Sequence, residues 1–297
     1  MGGFQYTLLS SKKDMAIYLL LMALMIASTG AFLTESFTLE RPHAKRGTQL
    51  FVSELHVPGY AQSKLAFLPE THSTTATTAT TVAELSPSNQ EYETWIPFDE
   101  SNPLDGQALV YKTKNPLFTS QECQAIIDEA EWMASNQMDW TRNRHGNFPT
   151  TDYPLTELPQ TLSFFRQALQ ERVYPLLAHQ FGNLLPDASK LRVADGFVVK
   201  YDALGGQSEL KPHRDGSVLS FNIALNPSHE YDGGGTWFES LDSSIRLEQG
   251  HVVSHASSLM HGGHGITSGK RYILVAFVIL EGYDSWSMRF YNQVRNR

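Results

Sequence analysis

This chain has one cysteine, Cys123, in 297 residues. No internal disulfide and no thiolate metal cluster can form from it. Cys123 falls on the apolar face of a predicted helix, where a thiol packs as a small hydrophobe. An Asn-x-Ser/Thr glycosylation acceptor is missing too, because Pro227 blocks Asn226-Pro227-Ser228. Both absences weigh against an extracellular life. Basic residues are few and scattered: 23 Lys and Arg against 31 Asp and Glu leave a net charge of −8. A surface that tracks the phosphates of a nucleic acid is therefore not expected. No Lys/Arg block occurs, and Arg289, Arg295 and Arg297 read as a solvated tail over residues 286–297. No internal repeat is visible, and nothing bears on oligomeric state. Hydrophobic residues at 41% are ordinary for a globular protein with a sizeable core.

The amino terminus points toward the secretory pathway. Lys12 and Lys13 precede an apolar run from Met15 to Ile26, followed by Ala27-Ser28-Thr29-Gly30-Ala31. A positive start, a short apolar core and small residues after it describe a signal peptide over residues 1–33. Read on to Leu33, the run also fits an uncleaved type II membrane anchor. The expected destination is the endoplasmic reticulum lumen, free or membrane-anchored. Residues 34–91, which include the stretch Ser73 to Thr81 rich in Thr, cannot bury enough surface to offset their ordering entropy and read as a disordered linker. The same segment fits a glycosylated stalk or a transit peptide in a bipartite plastid presequence, where Phe32 would follow the cleavage point.

Order is expected from about Tyr92, with a helical support region over 92–190. Thr119-Ser120-Gln121-Glu122 is a capping box. Cys123, Ile126, Ile127, Ala130 and Met133 follow at helical spacing, which predicts a helix to about Ala134. A second helix is predicted from about Leu162 to Phe181, kinked at Pro175 and ended by Gly182. From Leu191 the period changes to two. Phe197–Tyr201, Val218–Leu225, Thr236–Phe238, His251–His255 and Arg271–Val278 read as strands. Helices followed by short, turn-punctuated strands predict an α+β fold whose core is a double-stranded β-helix, or jelly roll, over residues 191–285.

The candidate site lies in that core. His213 and Asp215 are two residues apart, so an extended backbone points both to one side. Two imidazoles and one carboxylate are the ligand set of non-heme Fe(II) oxygenases, and it leaves other coordination positions open. His261 is the third candidate ligand, and His255 and His264 are its rivals. Arg271 carries a planar, always-charged fork suited to a carboxylate. It shares a strand face with Ile273, Val275 and Phe277, so Lys270 must face elsewhere.

These pieces together resemble the catalytic domain of the Fe(II)/2-oxoglutarate dioxygenases, in the prolyl and lysyl hydroxylase branch. The matching stretches run from Val199-Lys200-Tyr201 through Lys211-Pro212-His213-Arg214-Asp215 and Ser220–Asn226. They continue through Gly233-Gly234-Gly235 and His261-Gly262-Gly263 to Thr267–Tyr272, with Pro149-Thr150-Thr151-Asp152 upstream. The resemblance implies His213, Asp215 and His261 as iron ligands. His261 is favoured because this branch carries a basic residue ten positions after its distal His, here Arg271. It implies Arg271 as the partner of the distal carboxylate of 2-oxoglutarate and Tyr201 as a hydroxyl donor to the co-substrate; Asn222, polar within an apolar strand, is a further candidate for co-substrate contact. Tyr201 also reads as a packed core residue. Trp237 reads as core, or as a border of the substrate entrance.

The implied reaction consumes 2-oxoglutarate and O2, releases succinate and CO2, and hydroxylates an unactivated C–H bond, with ascorbate as a further requirement. A prolyl or lysyl side chain of a polypeptide is the expected substrate class, and a free amino acid or small metabolite is the alternative. Nucleic-acid dealkylases of the superfamily carry a second Arg six positions after the co-substrate Arg, where this chain has Phe277. A non-catalytic β-sandwich module holding a structural metal is the rival from another class.

Overall fold

The computed structural model describes residues 90–97, 104 and 106–295. The signal, anchor and transit readings, and all but the last two residues of the 34–91 linker, lie outside the described residues. Those last two belong to the fold: Gln90 is buried, and the Glu91 carbonyl accepts the Lys114 backbone N–H at 2.8 Å. Among the described residues no helix is long and apolar enough to cross a membrane.

Two antiparallel sheets carry the site. The larger joins β1 (Tyr92–Trp95), β2 (Val110–Thr113), β10 (Val252–Ala256), β6 (Leu219–Ala224), β12 (Ile266–Leu280), β4 (Leu191–Asp202) and β3 (Asp152–Pro154), in that order. A short β7 (Tyr231–Gly233) pairs with β12 as well. The smaller sheet runs β5 (Leu210–His213), β11 (His261–Gly263), β8 (Thr236–Phe238) and β9 (Ser243–Ile245). This is the two-sheet jelly roll expected from the strand spacing. The region 92–190 is less helical than expected, because β1, β2 and β3 extend the large sheet at both of its edges.

Strand parity decides which residues meet the site. On β4 and β12, Tyr201 lies opposite Arg271, Val199 opposite Ile273 and Phe197 opposite Val275. Directly opposed residues share a face, so these six point one way. On β6, Asn222 lies opposite Val275 and joins the same face. The alternate residues Val198, Leu274, Phe221 and Ile223 pack on the other side in the main core, with Phe165 and Phe181 from the helices. Each such fully buried side chain contributes about 1.5–3 kcal/mol relative to exposure.

Helix α1 (Ser120–Asn136) starts at the expected capping box: Thr119 Oγ accepts the Glu122 N–H at 3.1 Å and Glu122 accepts the Thr119 N–H at 2.8 Å. It buries Cys123, Ile126, Ile127 and Ala130. Burial pushes the Cys123 thiol up to about 12, which leaves it a packing group. The buried Glu129 carboxylate accepts the backbone N–H groups of Gln160 and Thr161 at 2.9 and 2.7 Å. One helix thereby caps the next, α2 (Pro159–Ala168), whose own N-cap Leu158 offers no side-chain acceptor. A π-helical turn, Leu169–Val173, joins α2 to α3 (Tyr174–Phe181). The expected discontinuity at Pro175 takes this form: the wider turn before the proline absorbs its missing N–H and ring bulk.

The carboxy terminus corrects the sequence reading. Residues 284–295 form helix α4 (Asp284–Arg295), not a solvated tail. Trp286 and Phe290 stack with centroids 5.1 Å apart, and Phe290 and Val294 are buried in the main core. Their four-residue spacing places them on one helix face while Arg289 and Arg295 stay in solvent.

Candidate metal centre and co-substrate pocket

His213 is the last residue of β5, and its direct partner across the ladder is His261, the first residue of β11. That pairing is how the chain returns across the interval to His261. Asp215 follows two residues after β5, with its backbone N–H fixed to the Ser257 carbonyl at 3.0 Å. One ligand atom from each of His213, Asp215 and His261 lies within 4.8 Å of the others. His213 Nε2 is 3.3 Å from Asp215 Oδ1, and His261 Nε2 is 3.4 Å from Oδ2.

The second ring nitrogens orient the imidazoles. His213 Nδ1 lies 2.8 Å from the Lys211 carbonyl and His261 Nδ1 lies 2.9 Å from the Leu259 carbonyl. A carbonyl only accepts, so both Nδ1 atoms carry hydrogen, and the Nε2 atoms that face Asp215 are the ones a metal would take in place of a proton. Asp215 Oδ2 accepts the Ser220 hydroxyl at 2.6 Å, and Ser220 contacts Ser257 at 2.9 Å. Burial alone would raise the Asp215 carboxyl. The charge on His261 and hydrogen bonds from both histidines outweigh it and hold the group well below the usual carboxylate range. His261 is raised in turn: burial opposes its charge, and Asp215 more than compensates.

The triad lines a cavity of about 210 Å³ together with Tyr201, Asn222 and Arg271. Arg271 is 2% exposed, makes no salt bridge among the described residues, and leaves one guanidinium nitrogen, Nη1, with no hydrogen-bond partner. A buried, uncompensated cation is costly, and a carboxylate arriving in the cavity would satisfy it. The donor set and this orphaned guanidinium fit an Fe(II) ion and a dicarboxylic 2-oxo acid. Tyr201 lies under Arg271, its ring centroid 5.1 Å from the guanidinium carbon, and is both pocket wall and core. Asn222 donates to Thr236 Oγ1 at 3.1 Å while facing the cavity.

The rival residues stand elsewhere. Lys270 points to the other face, 3.9 Å from Asp202. His264 bonds Ser244 at 2.6 Å in solvent. His255 is wholly buried with its ring 4.3 Å from that of His261, and it does not line the cavity. Burial and the neighbouring His261 push it down to about 3, so it stays neutral. Trp237 lines neither the cavity nor either core cluster; the alternation of β8 turns Thr236 inward and Trp237 out. Three pocket residues had no sequence signal: His145 and Phe148, on a loop, and Thr236. Ser220 was legible in principle, since it shares strand parity with Asn222.

No protein-family model matches this chain. Among curated proteins, the multifunctional procollagen lysine hydroxylase and glycosyltransferase LH3 of Rattus norvegicus is 31% identical over 204 residues, which are 63% of this chain and 26% of that protein. The procollagen lysyl hydroxylase and glycosyltransferase of Acanthamoeba polyphaga mimivirus is 35% identical over 173 residues, 55% of this chain and 19% of that protein. These similarities support the resemblance to the Fe(II)/2-oxoglutarate dioxygenases of the prolyl and lysyl hydroxylase branch. The chain spans about a quarter or less of the length of these relatives. Among solved structures, the viral collagen prolyl hydroxylase of Paramecium Bursaria Chlorella virus-1 matches at 15% identity and TM-score 0.40, over 57% of this chain and 94% of that one.

Proposed function

We propose that this chain is an Fe(II)- and 2-oxoglutarate-dependent dioxygenase that hydroxylates an unactivated C–H bond, on a prolyl or lysyl side chain of a polypeptide. The observation that carries this reading is the pairing, in one cavity, of a His–His–Asp cluster with a buried arginine that has no anionic partner. His213, Asp215 and His261 would hold the metal, and Arg271 the distal carboxylate of the co-substrate. When bound, the metal supplies the redox chemistry that couples 2-oxoglutarate decarboxylation and O2 reduction to hydroxylation.

The protein's own part is positioning. The Lys211 and Leu259 carbonyls fix the two imidazoles, and Ser220 fixes one oxygen of Asp215. Tyr201 and Asn222 border the co-substrate, and Ile273 and Val275 give it an apolar wall that excludes water. The orphaned guanidinium favours this reading over a structural-metal module, which has no use for a buried cation in its cavity. Ascorbate dependence and an endoplasmic reticulum location are parts of the same proposal; the location rests on Lys12, Lys13 and the apolar run behind them.

The test is anaerobic titration with Fe(II) and 2-oxoglutarate, read by the visible charge-transfer band, on wild type, His261→Ala and Arg271→Ala. A band that needs both additions, is absent in His261→Ala and needs far more 2-oxoglutarate in Arg271→Ala supports the assignment. A folded, iron-loaded protein without a band overturns it.

A further inference from the structure

The electrostatics of the cavity mouth bear on which side chain can enter, an inference that rests on the dioxygenase reading above. Residues 141–151 form a loop closed by backbone hydrogen bonds between Thr141 and Asp152. The loop lays His145 against Phe197, with ring centroids 4.7 Å apart, and Phe148 against the ligand candidate His213, at 5.1 Å. A second groove of about 460 Å³ adjoins the cavity and shares Phe148, Thr150 and Leu210 with it. Gln207 ties its two banks together: its amide donates to the Pro149 carbonyl at 2.8 Å and accepts the Thr151 N–H at 2.6 Å.

Anionic groups are nearly absent here. Asp215 is the only carboxylate lining the cavity, and it is engaged in the triad. Two carboxylates beside the loop, Asp152 and Asp195, are committed to one guanidinium. Arg144 donates to Asp152 at 2.7 Å and to the two oxygens of Asp195 at 3.1 and 2.9 Å. Aromatic faces can also hold an ammonium. Phe197, however, already has the Arg144 guanidinium at 5.1 Å and the His145 ring packed on it.

Cations, in contrast, surround the opening. Arg214 lines the cavity with its guanidinium bonded to a neutral acceptor, the Ser258 carbonyl. Exposed Arg142 and Lys211 line the groove, where Glu209 is the single carboxylate. Three cations face one anion at the mouth of a chain whose net charge is −8. The local sign is opposite to that of the whole.

We infer that this site takes an uncharged acceptor side chain carried on an acidic stretch of polypeptide, and rejects a lysyl ammonium. A lysyl group entering the cavity loses its water and meets no free carboxylate, which is the costly way to bury a charge. The rim repels it on approach and attracts acidic neighbours of a neutral acceptor. This departs from the lysine specificity in the names of the curated relatives.

The experiment uses the full chain loaded anaerobically with Fe(II) and 2-oxoglutarate. Fluorescent peptides of one length vary the acceptor, Pro or Lys, independently of the flanks, Glu or Lys. Anisotropy gives Kd, and succinate release on adding oxygen gives turnover. The expected result is at least ~10-fold tighter binding with Glu flanks than with Lys flanks at low salt, shrinking as salt screens the rim. Prolyl peptides turn over and lysyl peptides of the same flanks do not. The variant Arg142→Glu, whose side chain lines the groove and not the cavity, cuts the flank preference several-fold and keeps the charge-transfer band. Lysyl peptides that bind and turn over as well as prolyl ones overturn this inference and leave the dioxygenase reading standing. The expected binding order with no charge-transfer band and no succinate overturns the dioxygenase reading and leaves the charge selectivity.

Discussion

His213 and His261 face each other directly across the β5–β11 ladder, with ring centroids 4.5 Å apart. The His–His–Asp cluster therefore depends on one strand pairing. A register slip of one residue would turn His261 to the opposite face of the sheet and dismantle the cluster.

The support behind Asp215 is the first thing to test. Ser220→Ala removes the hydroxyl that orients Oδ2 at 2.6 Å. The expected loss is ~10–100-fold in Fe(II) affinity, the usual cost of deleting a partner behind a metal ligand. Anaerobic competition titration measures it, and unchanged affinity would remove Ser220 from the site.

Arg271→Ala should raise the apparent KM for 2-oxoglutarate by ~10–100-fold, since a hydrogen bond to a charged group is worth about 1.5–3 kcal/mol. Fe(II) binding without co-substrate should not change. Steady-state kinetics at saturating iron decide this. An unchanged KM in Arg271→Ala together with a raised one in Lys270→Ala would reassign the carboxylate to Lys270.

Gly269 should tolerate no side chain. Its φ is +73°, and a Cβ there would strike the Glu230 carbonyl, on the residue just before strand β7. The left-handed backbone alone costs an L-residue about 1–3 kcal/mol. Gly269 lies two residues before Arg271, so Gly269→Ala is expected to lower Tm and weaken 2-oxoglutarate binding together. Tm by calorimetry and the charge-transfer titration test both effects.

Acid should release the contact between α1 and the back of β4 and β12. Burial would raise the Glu131 carboxyl, but hydrogen bonds from Lys200 and Tyr272 and the Lys200 charge outweigh it and hold the group below its ordinary 4.5. A depressed folded value gives stability that is present above the unfolded value and lost as pH falls through the folded one. The pair is part-exposed, Glu131 at 35%, so its contribution is about 0.5–1 kcal/mol after screening. Urea unfolding should show Lys200→Met less stable than wild type at neutral pH and equal to it below the carboxyl's titration. A difference that persists in acid would make the effect one of packing around Trp140.

Local features are legible in the sequence because their physics is local. The Thr119–Glu122 capping box, the helical stripe behind it and the two-residue alternation of β4, β6 and β12 depend on neighbours a few positions away. So does the placement of Arg271 and Lys270 on opposite faces. The carboxy-terminal helix is missed because its charged residues draw attention away from three apolar ones at a four-residue spacing. The loop over residues 141–151 carries no period at all; its shape comes from Arg144 reaching two carboxylates and Gln207 reaching two backbone groups.

The sequence alone determines that His213 and Asp215 share a side of the chain, and that a basic fork stands on a strand with an apolar face. The spacing to Arg271 favours His261 as the third member, and the tertiary structure shows how it reaches them. His255, His261 and His264 are all near in sequence, and the β5–β11 ladder presents one of them, His261, beside Asp215. Only the tertiary structure decides that Arg271 is buried without an anion and that three cations ring the mouth. Those are relations between residues brought together by sheet closure, and no interval along the chain encodes them.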